Sequence, residues 1–430
     1  VLHEHVATDR RVRALVREQL LLLVNESFTG GAFVADGNDG DNGDGGNGGG
    51  DGGDGDALQF GYVFPQTGDL AHLGPPQESA AKYALQEIND AGGVNGSELP
   101  DFIEGDEAND AAQANDAAQR AVDQGADIIL GAAASGMTQA IMDTVTSNQV
   151  VQCSGSNTAP GLAEEDDTGF YWRTAPSDLL QGPVLAEKIA ADGHQSVAIT
   201  YRADDYGEGL ANAAADALEE NGIEVSYNEG YDPNAPNFDA VVNEMANAEA
   251  DANVLVSFEE GVQIITGLIE EGVNADQMYA TDGLNDENLA EKVDSSDPST
   301  IAGFQGTAPD VGTEDFLGGL TGFDSDLEVF QFAGQVYDCA IVTALAAEQA
   351  GTNDPAEFVN EVAAVSKDGT ECSTFEECKQ LIADGEDIDY QGVSGPIDFD
   401  DDGNVTTATF QVYGFDDEGV HDKQDAITVP

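Results

Sequence analysis

The sequence predicts an α/β protein made of two doubly wound units, each a parallel sheet with helices on its faces. Three observations carry that expectation. Apolar β-like runs alternate with helical segments along most of the chain, the signature of parallel sheets. The 430 residues suffice for two substantial cores, so a two-lobed body is expected. Two glycine- and hydroxyl-rich stretches, Gly131-Ala-Ala-Ala-Ser135-Gly-Met-Thr138 and Cys153-Ser-Gly-Ser156-Asn-Thr158-Ala-Pro160, each directly follow an apolar run. In open α/β sheets ligands sit beyond the carboxyl ends of the strands, where small residues let the backbone approach and a helix N-terminus offers free N–H groups.

Residues 1–35 hold a basic stretch (Arg10, Arg11, Arg13, Arg17) followed by Leu20-Leu-Leu-Leu-Val24, an apolar run too short for a complete secretion signal. The segment reads as a degraded or misassigned leader, with an amphipathic N-terminal helix as the alternative. All 21 residues over 36–56 are Gly, Asp or Asn. That composition makes a disordered, self-repelling linker with a reach of roughly 25 Å. The first unit then runs strand 58–64, helix 75–91, strand 127–130, helix 137–148 and strand 150–153. A second series follows: helix 178–191, strand 196–201, helix 206–221, strand 223–227, helix 237–248, strand 253–258, helix 261–271 and strand 278–281. The C-terminal third adds a helix over 333–350 and a hairpin pairing 395–399 with 406–413.

Acidic residues number 84 against 13 basic ones, a formal charge of −71. Nucleic acid and anionic membrane surfaces are disfavoured as partners, because phosphate contacts need clustered Lys and Arg. With 40% hydrophobic residues recurring periodically, the chain is nonetheless expected to fold. The acid excess is then a surface property, tolerable where salt screens it, since the Debye length at 1 M is about 3 Å. A halophilic source and a folded state that depends on molar salt follow. No run of about 18 apolar residues is present to span a membrane. Cys372 and Cys378 are close enough in sequence for a local disulfide in an extracellular setting, whereas Cys153 and Cys339, in separate apolar contexts, read as buried thiols.

Five stretches, Phe64-Pro-Gln-Thr-Gly-Asp-Leu70, Glu87-Ile-Asn-Asp-Ala-Gly-Gly-Val94, Trp172-Arg-Thr-Ala-Pro-Ser-Asp178, Asp205-Tyr-Gly-Glu-Gly209 and Tyr390-Gln-Gly-Val-Ser-Gly-Pro396, occur in this order. Together they closely resemble the branched-chain amino acid (Leu/Ile/Val) type of substrate-binding protein of ABC transporters, in its haloarchaeal form. The resemblance covers residues from 57 to about 430. It implies the type I periplasmic binding protein fold: two lobes joined by a three-strand hinge, with crossings near 174–178, 305–309 and 390–396. Lobe 1 would comprise 57–175 plus 307–391, and lobe 2 would comprise 177–305 plus 393–430.

The resemblance also implies a ligand site between the lobes. Ser135 and Thr158 would take the ligand α-carboxylate, the Ser156 carbonyl would accept from its ammonium, and Leu73 would touch its side chain. From lobe 2, Tyr206 would close over the ligand and Asp282 would pair with the ammonium. Phe258, at a lobe 2 strand end, would face the cleft. Such a set suits a zwitterion, with donors at one end and acceptors at the other in a dry cleft. The Gly155-Ser156-Asn157 run is more polar than usual for leucine-type binders and Asp282 shorter than the usual glutamate, which opens the site to polar solutes. Ser135 and Thr158 also suit ordinary helix N-caps. Arg173 is expected to form an ion pair near the hinge.

The implied function is capture of a small amino-acid-like ligand by an extracellular, monomeric protein, tethered to the outer face of the membrane and serving an ABC permease there. A sensor of amides, urea or other small organic solutes on the same fold is the alternative. Asp398-Phe-Asp400-Asp-Asp402-Gly403 mimics an EF-hand opening but has Thr409 where the bidentate Glu belongs, so it reads as a turn. The five histidines are scattered without metal spacing, and no nucleophile elbow, phosphate loop or dinucleotide fingerprint occurs. No metal or cofactor is expected, and no enzyme.

Overall fold

The computed structural model describes residues 57–165 and 167–430; the expected leader and linker lie outside the described residues. Fourteen strands among the described residues form two large sheets and one small one. The first sheet holds β1 (Phe60–Phe64), β2 (Ile103–Asp106), β3 (Ile128–Gly131), β4 (Val151–Ser154) and β5 (Tyr171–Arg173), in the order β2-β1-β3-β4-β5, all parallel. Its central strands are buried on both faces, which is why β1 (FGYVF) and β3 (IILG) read as continuous apolar runs rather than alternating ones.

The second sheet holds β6 (Ser196–Arg202), β7 (Glu224–Tyr231), β8 (Ala252–Val256), β9 (Met278–Ala280), β10 (Gln305–Pro309), β13 (Ala408–Phe415) and β14 (His421–Val429), ordered β14-β13-β10-β9-β8-β6-β7. It is parallel from β7 to β10, and antiparallel where β13 meets β10 and β14. β11 (Thr370–Cys372) and β12 (Ile388–Tyr390) form a separate small parallel pair. The strand expected over 395–399 is corrected. β13 pairs instead with β14, and the earlier segment supplies only the isolated bridges Gln391↔Pro396 and Phe399↔Val405. Pro396 cannot donate to a ladder, and β14 is an edge strand whose exposed polar face hides its period from a pattern search.

Both sheets reverse their strand order once, in the first between β1 and β3 and in the second between β6 and β8. The carboxyl ends at such a switch point leave a crevice between diverging loops. Three stretches carry the chain between the two sheets. β5 leads through Thr174–Ser177 into the helix Asp178–Ala191, which packs on the second sheet. β10 leads back to the helix Ala333–Ala350, buried along nearly its whole length against β4 and the helix Gly74–Asp90. From β12 the chain returns to β13 past Asp338, a fully buried carboxylate that accepts from the N–H groups of Val393 and Ser394 (both 2.9 Å) and from the Tyr390 hydroxyl (2.7 Å). Burial lifts Asp338 to about 6 despite these donors.

Cys153 and Cys339 are not separate thiols. They are joined in a fully buried disulfide, Cα–Cα 5.7 Å, that ties the end of β4 to the long helix across 186 residues of sequence. That separation is why neither cysteine announced its partner. A second disulfide joins Cys372 to Cys378. Arg173 departs from expectation as well: its guanidinium bonds the Asn404 side-chain oxygen (2.7 Å) and the Ala159 carbonyl (2.8 Å), not a carboxylate. Asn404 is itself held by Asp400, whose Oδ1 accepts from the Asp402 and Asn404 N–H groups, so the acidic run is a turn that presents a partner to Arg173.

Candidate functional site

The cradle on the first sheet begins with β1 and β3. At the end of β3, Gly131 has φ +109°, and a Cβ there would lie 2.4 Å from the Val63 carbonyl oxygen, so only glycine turns the chain away so close to β1. The turn Ala132–Ala134 follows, and the helix Ser135–Thr146 starts with Ser135 as its first residue, not as its cap. The Ser135 hydroxyl oxygen instead accepts from the backbone N–H groups of Thr158 (3.4 Å) and Ala159 (3.2 Å), lacing the two small-residue loops together. Thr158 does not cap the short 3-10 turn Pro160–Glu164 either; Ala159 stands at that position.

Beneath this cradle lies Glu107, which the sequence showed only as one acid among many. It is fully buried, and its two carboxyl oxygens accept from the N–H groups of Ala133 (2.7 Å) and Ala134 (3.2 Å). Burial raises it to about 8, the two N–H donors offsetting part of the cost. The polar run at 155–157 also resolves differently from expectation. A Cβ on Gly155 would sit 2.4 Å from the Val336 backbone nitrogen, so the glycine serves close packing against the long helix. Asn157 turns inward, donating to Thr138 (2.8 Å) and accepting from the Tyr171 hydroxyl (2.6 Å). Of the three residues, Ser156 alone faces the crevice.

The second sheet supplies the opposite wall. Asp204 caps the helix Asp205–Glu220 by accepting from Gly207 N–H (2.9 Å), which sets Tyr206 in the first turn, pointing back over the sheet. The Tyr206 hydroxyl meets Thr281 Oγ1 at 2.8 Å and donates to Asp282 Oδ1 at 3.1 Å. Its ring stacks on Phe258 (centroids 5.1 Å apart), and the Arg202 guanidinium lies over the Phe258 ring, 3.7 Å from its centroid. Arg202 is itself held by Asp204 and Glu260. Asp282 opens the 3-10 turn after β9 and also accepts from Gln181 Nε2 (3.1 Å). Burial lifts its carboxyl to about 6, with the Gln181 and Tyr206 donors pulling the other way.

These walls meet. One small cavity is lined by Ser135, Ser156, Thr158 and Leu73 from the first sheet's side and by Tyr206, Phe258 and Asp282 from the second, which brings all seven expected residues together. Leu70, Ala133, Ala134, Gly283 and Phe332 complete the lining. Leu70, Leu73, Ala134 and Phe332 share one apolar cluster with Tyr206 and Phe258, so the lobes are shut on each other. Polar and apolar groups thus both face the cavity.

Asp178 is another buried carboxylate that sequence reasoning passed over. It stands at the start of the helix Asp178–Ala191, fully buried, its backbone N–H donating to the Thr158 carbonyl (2.9 Å). Neither of its carboxyl oxygens has a hydrogen-bond partner. Burial, and then the charge of Asp282, push it well above the usual carboxylate range, while the Thr158 hydroxyl and the Arg173 charge oppose the shift. It lay inside one of the quoted motifs, but as part of the hinge.

Residues 57–419 match the periplasmic binding protein family. The chain belongs to that family. Among its relatives is a leucine-, isoleucine-, valine-, threonine- and alanine-binding protein of Pseudomonas aeruginosa, 31% identical over 45% of this chain and 52% of that one, so the match spans about half the relative's length. A chemotactic signal transduction system substrate-binding protein of Halobacterium salinarum is 28% identical over 77% of this chain and 80% of its own. Of solved structures, a leucine-binding protein of Thermotoga maritima superposes with a TM-score of 0.72 at 20% identity, covering 86% of this chain and 99% of that one. A Streptococcus pneumoniae branched-chain amino acid transporter substrate-binding protein, in complex with isoleucine, gives 0.71 at 21% identity over 87% and 99%. As a family member this is a solute-binding protein, not an enzyme. Among the described residues no helix is long and apolar enough to cross a membrane.

Proposed function

We propose that this protein captures a small α-amino acid, a branched-chain one in first place, in the closed interlobe cavity, and presents the closed form to the permease of an ABC importer from an extracellular position tethered to the membrane. The observation that supports the reading is the polarity of the cavity. The loops around Ser135 and Thr158 offer hydroxyls and helix N-terminal N–H groups for a carboxylate. Asp282, buried with the Ser156 loop nearby, offers acceptors for an ammonium. Leu70, Leu73, Phe258 and Phe332 leave an apolar wall for an aliphatic side chain. Ligand would dock on the first lobe, and contacts from Tyr206 and Asp282 would form on closure, so the ligand favours the closed state by that difference.

A thermal-shift screen in molar KCl tests this reading. Ligand at 100 times its Kd adds about 2.7 kcal/mol to the folded state. Leucine, isoleucine and valine are expected to raise the melting temperature, and amides, urea and 4-hydroxybenzoate are not; the reverse pattern would withdraw the zwitterion reading. A sensory role is the second reading, favoured by the name of the Halobacterium relative. Deleting the gene separates the two: lost uptake of the amino acid marks an importer, and lost taxis with uptake intact marks a sensor.

A further inference from the structure

Two glycines stand in the Asp205-Tyr-Gly-Glu-Gly209 stretch, and they answer to different neighbours. A Cβ on Gly207 would run into the Arg202 carbonyl, within its own lobe, so that glycine serves the fit of the helix Asp205–Glu220 on its own sheet. A Cβ on Gly209 would instead lie 2.6 Å from Pro160 Cδ, and Pro160 opens the turn that follows Thr158 and Ala159 on the first lobe. Carbon atoms pack at about 3.5–4.0 Å, so the helix lies nearer to this turn than a side chain at 209 would allow.

Neither side of this contact can give way alone. Pro160 Cδ is bonded to the backbone nitrogen and moves only with the chain. That chain is pinned: the Ala159 N–H donates to Ser135 Oγ (3.2 Å), the Ala159 carbonyl accepts from Arg173 (2.8 Å), and Ala159 and Leu162 pack with Met142 and Tyr171. On the facing side, Leu210, Ala211 and Ala214 share one apolar cluster with Ile199 and Val254, which holds the helix on the second sheet. The remaining freedom is the separation of the lobes. Glycine within a helix otherwise costs stability relative to alanine, and Gly209 lies inside this one with no left-handed φ to require it.

We propose that Gly209 sets how far the lobes close, as a positioning residue outside the cavity: its missing side chain lets the helix seat on Pro160, and that contact brings Tyr206 over the captured solute. Tyr206 stands three residues earlier, on the same face of the helix. With the lobes shut it lines the cavity together with Ser135 and Thr158, whereas neither Gly209 nor Pro160 does. A methyl group at 209 would hold the helix off the turn and leave the Tyr206 ring short of the solute. The inference rests on capture by closure, as proposed above, and not on which solute is captured.

The test is a double-variant cycle, Gly209→Ala with and without Pro160→Ala, titrated with L-leucine in molar KCl by calorimetry beside melting curves of the ligand-free proteins. Gly209→Ala is expected to weaken binding about 10- to 100-fold, the range of an overpacked contact. It is expected to keep the ligand-free melting temperature or raise it by about 1–3 °C, because alanine favours the helix. A glycine needed only for folding would lower it. Beside Pro160→Ala, which removes the ring carbons, the same substitution is expected to cost less than about 3-fold. Wild-type affinity in Gly209→Ala, a lowered ligand-free melting temperature, or a loss that persists undiminished beside Pro160→Ala overturns the proposal. If wild type does not bind L-leucine, the amino-acid reading falls alone, and the cycle is read with urea or 4-hydroxybenzoate, whichever binds. If none of the three binds, capture by closure falls and this inference falls with it.

Discussion

Replacing Ser135 by alanine is expected to weaken amino-acid binding by about 100-fold, while the protein keeps its fold. The hydroxyl has two tasks at once. It accepts from the Thr158 and Ala159 N–H groups, which aligns the second loop of the cradle, and its own proton is left to point at the proposed ligand carboxylate. A hydrogen bond to a charged group contributes about 1.5–3 kcal/mol, and a buried N–H left without an acceptor costs about 1–3 kcal/mol. A combined loss near 3 kcal/mol corresponds to about two decades in Kd. Asp282→Ala is expected to cost less, about 10-fold, because the Ser156 loop on the same cavity still offers an acceptor to the ammonium. Isothermal titration with leucine measures both. Wild-type affinity in both variants would remove these residues from the site.

The second large effect concerns Cys153–Cys339. Opening it releases a loop of 186 residues, for which chain entropy alone predicts a loss of about 5 kcal/mol. The short Cys372–Cys378 loop, six residues apart, should give about 2 kcal/mol. The double variant Cys153→Ala, Cys339→Ala is therefore expected to lower the melting temperature in molar salt by on the order of 5–10 °C. It should also loosen ligand binding, because β4 runs from Cys153 straight into Ser154, Gly155 and Ser156, and Gly155 packs on the same helix that carries Cys339. An unchanged melting temperature in the double variant would show that packing alone holds β4 to that helix.

Much of the site was legible because each of its loops follows a strand, and strand ends are marked in the sequence by a switch from apolar to small or hydroxyl residues. Ser135, Ser156, Thr158, Tyr206, Phe258 and Asp282 all stand on such loops or in the first turn after them. What stayed hidden depends on contacts between distant segments. Phe332 reaches the cavity from the head of a helix nearly 200 residues beyond Ser135, in a left-handed conformation (φ +63°) that nothing in its sequence marks. Glu107 and Asp178 differ from the acids around them only in being buried, and burial is a property of the assembled lobes. Asn157 read as a polar cleft residue until the hydroxyls of Thr138 and Tyr171 were seen to engage it. β14 was lost because an exposed edge strand needs only one apolar face, and here even that face is half exposed.

The central claim is that the cavity selects a molecule charged at both ends. It is tested most directly by titrating the protein in molar KCl with L-leucine and with its two truncated relatives, 4-methylpentanoate, which lacks the ammonium, and isopentylamine, which lacks the carboxylate. The account predicts that leucine binds and that each truncation costs at least 100-fold, since each leaves one end of the cavity with buried polar groups and no partner. Binding of 4-methylpentanoate as tight as that of leucine would contradict it, because Asp282 would then have no part in recognition.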